Sequence, residues 1–102
     1  MEHEVIARLE RVAAKGIKLI PLAEVPTHFV FERDGFAVLV ERRGQGFGGI
    51  GSPGLLNESG FAALVERNGD PWFIGKRAQR RAVPGEAEAA RLLFTDLKSA
   101  LA

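Results

Sequence analysis

The sequence contains no cysteine and no tyrosine. Without cysteine there is no disulfide framework, no thiolate ligand for zinc or an iron–sulfur cluster, and no thiol nucleophile. Histidine is almost as scarce. His3 and His28 are the only two, 25 residues apart, and neither has a partner at metal-ligand spacing. No metal and no other cofactor is expected. Neither sign of charge dominates either, with 14 Lys and Arg against 13 Asp and Glu, a net charge of +1. A global field of that size recruits neither nucleic acid nor anionic membrane, so any such partner needs a local patch. No apolar run approaches the ~20 residues that span a bilayer, and no membrane contact is expected. The opening residues Met1-Glu2-His3-Glu4 are acidic and lack the basic flank and apolar segment of a signal peptide. A cytoplasmic protein is the expectation.

What remains is an ordinary globular composition, 46% hydrophobic and 26% charged over 102 residues. That is enough chain for one core, and nothing in it reads as a linker. A single α+β domain over 1–102 follows. Residues 2–15 read as a helix, with Val5, Ile6, Leu9, Val12 and Ala13 on one face and Gly16 placed to close it. Residues 17–22 read as a short edge strand, because Pro21 cannot donate to a ladder. A second helix runs from about Glu86 to Leu101, with Ala90, Leu93, Phe94, Leu97 and Leu101 on one face.

Between the helices one stretch occurs twice. Gly-Phe-Ala-Val-Leu-Val-Glu-Arg-Arg-Gly at 35–44 and Gly-Phe-Ala-Ala-Leu-Val-Glu-Arg-Asn-Gly at 60–69 agree at eight of ten positions. Each copy reads as the middle strand of a three-strand meander, which suggests an internal duplication over about 28–51 and 55–76. Asp34-Gly35 and Asn68-Gly69 are two-residue hairpin turns whose loop residues must accept positive φ. Those turns set the register. Phe29 faces Val40, Phe31 faces Val38 and Arg33 faces Phe36, giving an apolar core face. In the second hairpin Val65 faces Trp72 and Ala63 faces Ile74, so Phe61, Ala63, Val65, Trp72 and Ile74 share a face, read here as its core face. Leu39, Leu64 and Phe73 then fall on the side away from the helices. Gln45 to Gly51 is a weak third strand, Ser52-Pro53-Gly54 a loop, and Leu55 to Glu58 a short strand. The architecture expected is a two-layer sandwich. An antiparallel meander of five or six strands carries both helices on one face.

Candidate sites are few. The stretch 44–54 contains Gly-x-Gly-x-x-Gly twice, through Gly44, Gly46, Gly48, Gly49 and Gly51. In a dinucleotide site that spacing turns a strand into a helix, and here no helix follows. A bulged strand connection is the plainer reading, with an anion- or small-ligand-binding nest as the alternative. Lys76, Arg77, Arg80 and Arg81 form the one basic cluster, next to Trp72 and Phe73. Arg42, Arg43 and Phe47 sit in the corresponding place of the first unit. Arginines interleaved with sheet aromatics can hold single-stranded nucleic acid. The plainer alternative is a solvated loop beside packed aromatics.

Catalytic pairings are thin. Register sets His28 opposite Glu41, which is more simply a surface polar contact than a base and its orienter. The expectation is therefore a small non-enzymatic interaction or regulatory module. Its partner is another protein or a second copy of itself, as a homodimer. Nucleic-acid binding through 42–47 and 72–81, and ligand binding at 44–54, are the alternatives.

Overall fold

A computed structural model describes residues 3–20, 26–76 and 78–102 of the chain. The elements run α1 (His3–Ala14), β1 (Lys18–Ile20), β2 (His28–Arg33), β3 (Phe36–Arg43), β4 (Gly46–Asn57), β5 (Gly60–Arg67), β6 (Asp70–Ile74), β7 (Gln79–Arg81) and α2 (Glu86–Leu101). The strands form one antiparallel sheet in chain order, β1 to β7, and both helices lie on one face of it. The two-layer α+β sandwich is as expected, with seven strands where five or six were anticipated. The added strand is β7, taken from the basic segment. The expected continuation of β1 through Pro21 and Leu22 lies outside the described residues.

The local signals explain most of these boundaries. Helix α1 ends where Gly16 takes φ 74°. Its N–H donates to Ala13 O at 3.0 Å and the Ile17 N–H to Val12 O at 3.3 Å. That pair of bonds is the Schellman closure, and the apolar pair it brings together, Val12 and Ile17, enters the core. Asp34 and Gly35 have φ 55° and 89°, Asn68 and Gly69 φ 52° and 82°. All four are left-handed, as a type I′ turn requires. Both registers fall as the turns dictate, with Phe31 opposite Val38 and Val65 opposite Trp72.

The core is built on the helix face of β2 and β3. Phe31, Val38 and Val40 are wholly buried against Val12, Ile17, Leu93, Leu97, Ala100 and Leu101. Each such side chain contributes about 1.5–3 kcal/mol by leaving water. Phe29, Phe31 and Phe47 meet with ring centroids 5.1–6.4 Å apart. Of the α1 residues expected to pack, Val5 and Val12 are buried and Leu9 leans on the core, whereas Ile6 and Ala13 are exposed. Arg33 fastens the sheet to the helices, and Arg11 fastens the two helices to each other. Arg33 Nη1 donates to Lys15 O and to Asp96 Oδ2, both at 3.0 Å, joining β2 to α1 and α2. Arg11 Nε donates to Ala100 O at 2.9 Å and its Nη2 to Ala102 O at 3.0 Å.

Strand β4 departs from the sequence reading. Instead of strand, loop and strand, residues 46–57 form one strand that contains Ser52-Pro53-Gly54. Two steps along β3, Val38 to Val40, match three along β4, Pro53 to Ile50. The same excess recurs between Val40/Ile50 and Arg42/Phe47. Each extra residue is a bulge, which bends the strand and sharpens its twist. Bulging also explains how a proline is accepted inside the sheet.

The register of β4 also separates the two copies of the repeat. Phe36 pairs with Leu55, and Leu55 pairs with Ala62. Phe36 is therefore level with residue 62, an offset of 26, while the sequence repeat has an offset of 25. One residue of slip turns a strand over. Phe36, Val38 and Val40 face the helices, but Phe61, Ala63 and Val65 face away from them. The expected core face of the second hairpin is thus its outer face. Trp72 and Ile74 lie outside, and Phe73, 1% exposed, faces the helices beside Phe36, ring centroids 6.2 Å apart. Leu64, opposite Phe73, is on the helix side with it, and of the three residues expected outside only Leu39 is there. The likeness of the two stretches stays one of sequence.

Gly54 shows why β4 and β5 can approach. A Cβ there would collide with Ala62 O and stand 2.7 Å from the Phe61 ring. Gly49 has nothing within 4 Å of the same position. Gly54→Ala is expected to lower unfolding stability in urea by about 2–3 kcal/mol. Gly49→Ala should be neutral or stabilising by up to about 0.5 kcal/mol. Equal effects of the two would show that the β4–β5 contact is not tight.

Candidate functional site

The sheet face away from the helices is the most distinctive surface. Along β3 to β6 it carries Leu39, Leu56, Phe61, Ala63, Val65, Trp72 and Ile74: Leu39 sits opposite Val30, and each of the others opposite another of the set or opposite Gly54. Most are half-buried, and Val65 is 37% exposed. On the β2–β3 side the same face closes over Val30 and Ala37, which are buried. Among the described residues the helices pack only on the other face.

Trp72 is the centre of the outer surface. The Arg67 guanidinium lies over its ring at 4.9 Å and that of Arg81 at 5.8 Å. Both arginines are themselves held. Arg67 Nη2 donates to Gln79 Oε1 at 3.0 Å, and Arg81 Nη2 to Asp70 Oδ2 at 2.9 Å. The indole is therefore a flat apolar surface rimmed by paired charge. Arg67 was not singled out from sequence, and Trp72 was read as facing the core. The signal was the Asn57–Gly60 pairing, with Glu58-Ser59 as the loop and Asn57 Oδ1 accepting the Ser59 N–H at 2.8 Å. Reading that turn one residue differently reverses the face of everything downstream.

The basic residues of the nucleic-acid alternative are dispersed. Arg42 stacks over Phe29 at 4.3 Å on the helix side, and Phe47 belongs to the core aromatic cluster. Arg43 Nη2 pairs with Glu41 Oε1 at 2.6 Å on the outer side. Lys76 is exposed beyond β6, and Arg77 lies outside the described residues. Arg80 stacks over Phe73 at 5.3 Å and grips Glu86 through two bonds of 2.8 Å. Strands β3 and β7 are four strand spacings apart, about 19 Å. Among the described residues the 42–47 and 76–81 segments thus do not form one patch, and three of their five cations, Arg43, Arg80 and Arg81, are paired with a carboxylate.

The glycine-rich stretch is a strand and not a loop. Only Gly44, at φ 60°, turns the chain; Gly46, Gly48, Gly49 and Gly51 lie along β4. Beside it, on the outer face, is a cleft of about 460 Å³ bordered by His28, Leu39, Glu41, Gly49, Ser52 and Phe61. His28 and Glu41 are cross-strand partners, yet the ring Nδ1 is bonded to Thr27 Oγ1 at 2.8 Å and Glu41 to Arg43. Among the described residues no charged or polar side chain is fully buried, and no three His, Asp or Glu side chains gather. No helix among them is long and apolar enough to cross a membrane.

No protein-family model matches the chain, and neither a curated protein nor a solved structure matches it at a significant level. The surface has to be read from its own chemistry.

One ion pair has a resolved electrostatic consequence. The hydrogen bonds from Arg80 hold the Glu86 carboxyl below the usual glutamate value, partial burial opposes this, and the Val83 N–H at 2.8 Å adds to the lowering. Its folded pKa is depressed, so its contribution is present above the unfolded value and is lost as pH falls through the folded one. Glu86→Gln is expected to cost about 1 kcal/mol near neutral pH, discounted for the half-exposed Arg80. The difference from wild type should shrink in urea melts as pH falls below the ordinary glutamate range. A constant difference across that range would mean that Glu86 acts through packing.

Proposed function

We propose that the chain is a binding module without catalytic chemistry of its own, which joins protein surfaces through the outer face of its sheet. A second copy of the chain is the first occupant. The observation that carries this reading is the apolar strip Phe61, Ala63, Val65, Trp72 and Ile74, left without a covering layer among the described residues. Continuous apolar surface rimmed by charge marks association sites more often than catalytic ones. Arg67, Asp70 and Arg81 supply that rim. A twofold pairing of this face with itself would bring Trp72 against apolar residues and leave the arginines at the edge. A cytoplasmic setting belongs to the same proposal, since a cysteine-free chain needs no oxidising compartment to fold.

A second reading, single-stranded nucleic acid, is favoured by one observation, the outward Trp72 with Arg67 and Arg81 over its ring. It requires a base to displace at least one guanidinium. Oligothymidine would then quench Trp72, the sole tryptophan, with an affinity that falls steeply with salt.

Sedimentation velocity tests the first reading. Wild type is expected to shift from monomer to dimer over the micromolar range. Val65→Lys, at an exposed position where the fold tolerates change, should raise the dissociation constant at least about tenfold, or ~1.4 kcal/mol. A wild-type chain that stays monomeric into the millimolar range would overturn it.

A further inference from the structure

We infer that the open edge of β4 accepts an extended peptide as an added strand, a proposal that rests on the binding-module reading and names the partner's chemistry. The sheet splits between β4 and β5. Pairing between them covers only Gly54 to Asn57 on β4 and Gly60 to Ala63 on β5. Upstream, the stretch Gly46 to Pro53 pairs with β3 on one side and with no described strand on the other. The cause lies in the sequence. Pro53 has no N–H with which to continue the ladder, and the two bulges bend the strand away from β5.

This edge differs from the two at the ends of the sheet. Strand β1 is three residues long and begins with Lys18; β7 is three residues long and reads Gln-Arg-Arg. Short, charged edges discourage pairing with another chain. The β4 stretch is longer and carries no charged side chain. Its glycines also leave the main chain uncovered. Gly48 and Gly51 are tight, since a Cβ would stand 2.6 Å from Glu41 Oε1, the movable end of a side chain, and 3.1 Å from Leu39 O. Gly46 and Gly49 are not: a Cβ at Gly46 would meet only Arg43 O, at an ordinary 3.8 Å, one at Gly49 would meet nothing within 4 Å, and neither has a positive φ. Glycine weakens a strand unless another backbone comes close. Main-chain N–H and C=O groups at strand spacing are complemented best by another extended backbone.

The clefts on either side define the side chains such a peptide would carry. An added strand sends alternate side chains to opposite faces. On the outer face the 460 Å³ cleft offers Leu39, Phe61 and Ala63 to an apolar residue. On the helix face a cleft of about 370 Å³ joins Phe47 and Leu101 to Arg8 and Lys98. Lys98 makes no ion pair among the described residues. Acidic residues suit that side. The peptide class is an extended segment alternating apolar and acidic residues.

The test uses the full chain and the heptapeptide Val-Glu-Val-Glu-Val-Glu-Val, blocked at both ends, with residue-resolved hydrogen exchange. At millimolar peptide, exchange of amides within 46–52 should slow by roughly tenfold or more. Two analogues, N-methylated at alternate residues in the two possible phases, should differ, because only one phase removes the donors that face β4. Absence of protection within 46–52, or equal binding by both analogues, overturns the inference. The measurement is made at a chain concentration where sedimentation shows monomer. Self-association protects β5 and β6 instead, so failure of the dimer reading and failure of this one are told apart.

Discussion

Strand β4 has to pair with β3 and with β5, and those two partners do not continue in one plane. Its downstream half lies flat between them, where Gly54 leaves no room for a Cβ against Ala62 O and Phe61. Its upstream half follows β3 through two bulges and leaves β5 behind. The rest of the molecule depends on that division. The β1–β4 part carries the aromatic core under both helices. The β5–β7 part is held to it by four residue pairs and by Phe73, which reaches Phe36 on the helix side.

With both helices on one face, the energetic balance of the sheet is uneven. The helix side buries Phe31, Val38, Val40, Leu93 and Leu97 completely, which is where most of the stabilisation by apolar burial must arise. The ties at Arg33 and Arg11 use carbonyls at helix ends as acceptors, so they also satisfy groups that the helices leave unpaired. On the other side the strands have apolar residues and, along β5 and β6, no second layer among the described residues. The two guanidiniums over Trp72 recover part of what exposure costs, since a cation over an aromatic face contributes about 0.5–1 kcal/mol at an exposed site. That arrangement offsets part of the exposure and still leaves apolar area on the outer face.

The parts of this fold that were legible in the sequence are those fixed by local chemistry. Asp34-Gly35 and Asn68-Gly69 admit one turn type, and the pairings beside them follow by counting. Gly16 closes α1 because no other residue nearby accepts its φ cheaply. The periodicity of α2 located Ala90, Leu93, Leu97 and Leu101, all buried. What was not legible depends on β4. The stretch 49–54, with one proline and three glycines among its six residues, looks like punctuation when read locally. Only its bulges, which are set by pairing with β3, make it a strand. The face of Trp72 was lost for the same reason. The repeat suggested that Phe61 should behave as Phe36 does, but the loop at Glu58-Ser59 places Ala62, not Phe61, level with it. A period of two converts that single residue into the opposite side of the sheet. The candidate site was therefore half visible. Its residues were noticed as aromatics beside arginines, while their exposure was assigned backwards.

Charge decides what kind of recognition such a surface supports. Arg43, Arg80 and Arg81 each have a carboxylate within 2.9 Å, and Arg67 is bound to Gln79. These pairs lie on a chain whose net charge is +1. Long-range steering needs unpaired charge of one sign, and here little is left to extend beyond a Debye length of about 10 Å. Recognition by this molecule then has to come from short-range contact. The outer face offers apolar area around one indole, and the β4 edge offers main-chain groups uncovered by glycine. A partner proposed for either would be selected by shape and backbone geometry after encounter. Affinity built in that way resides mostly in slow dissociation and depends on salt less steeply than affinity built on phosphate contacts.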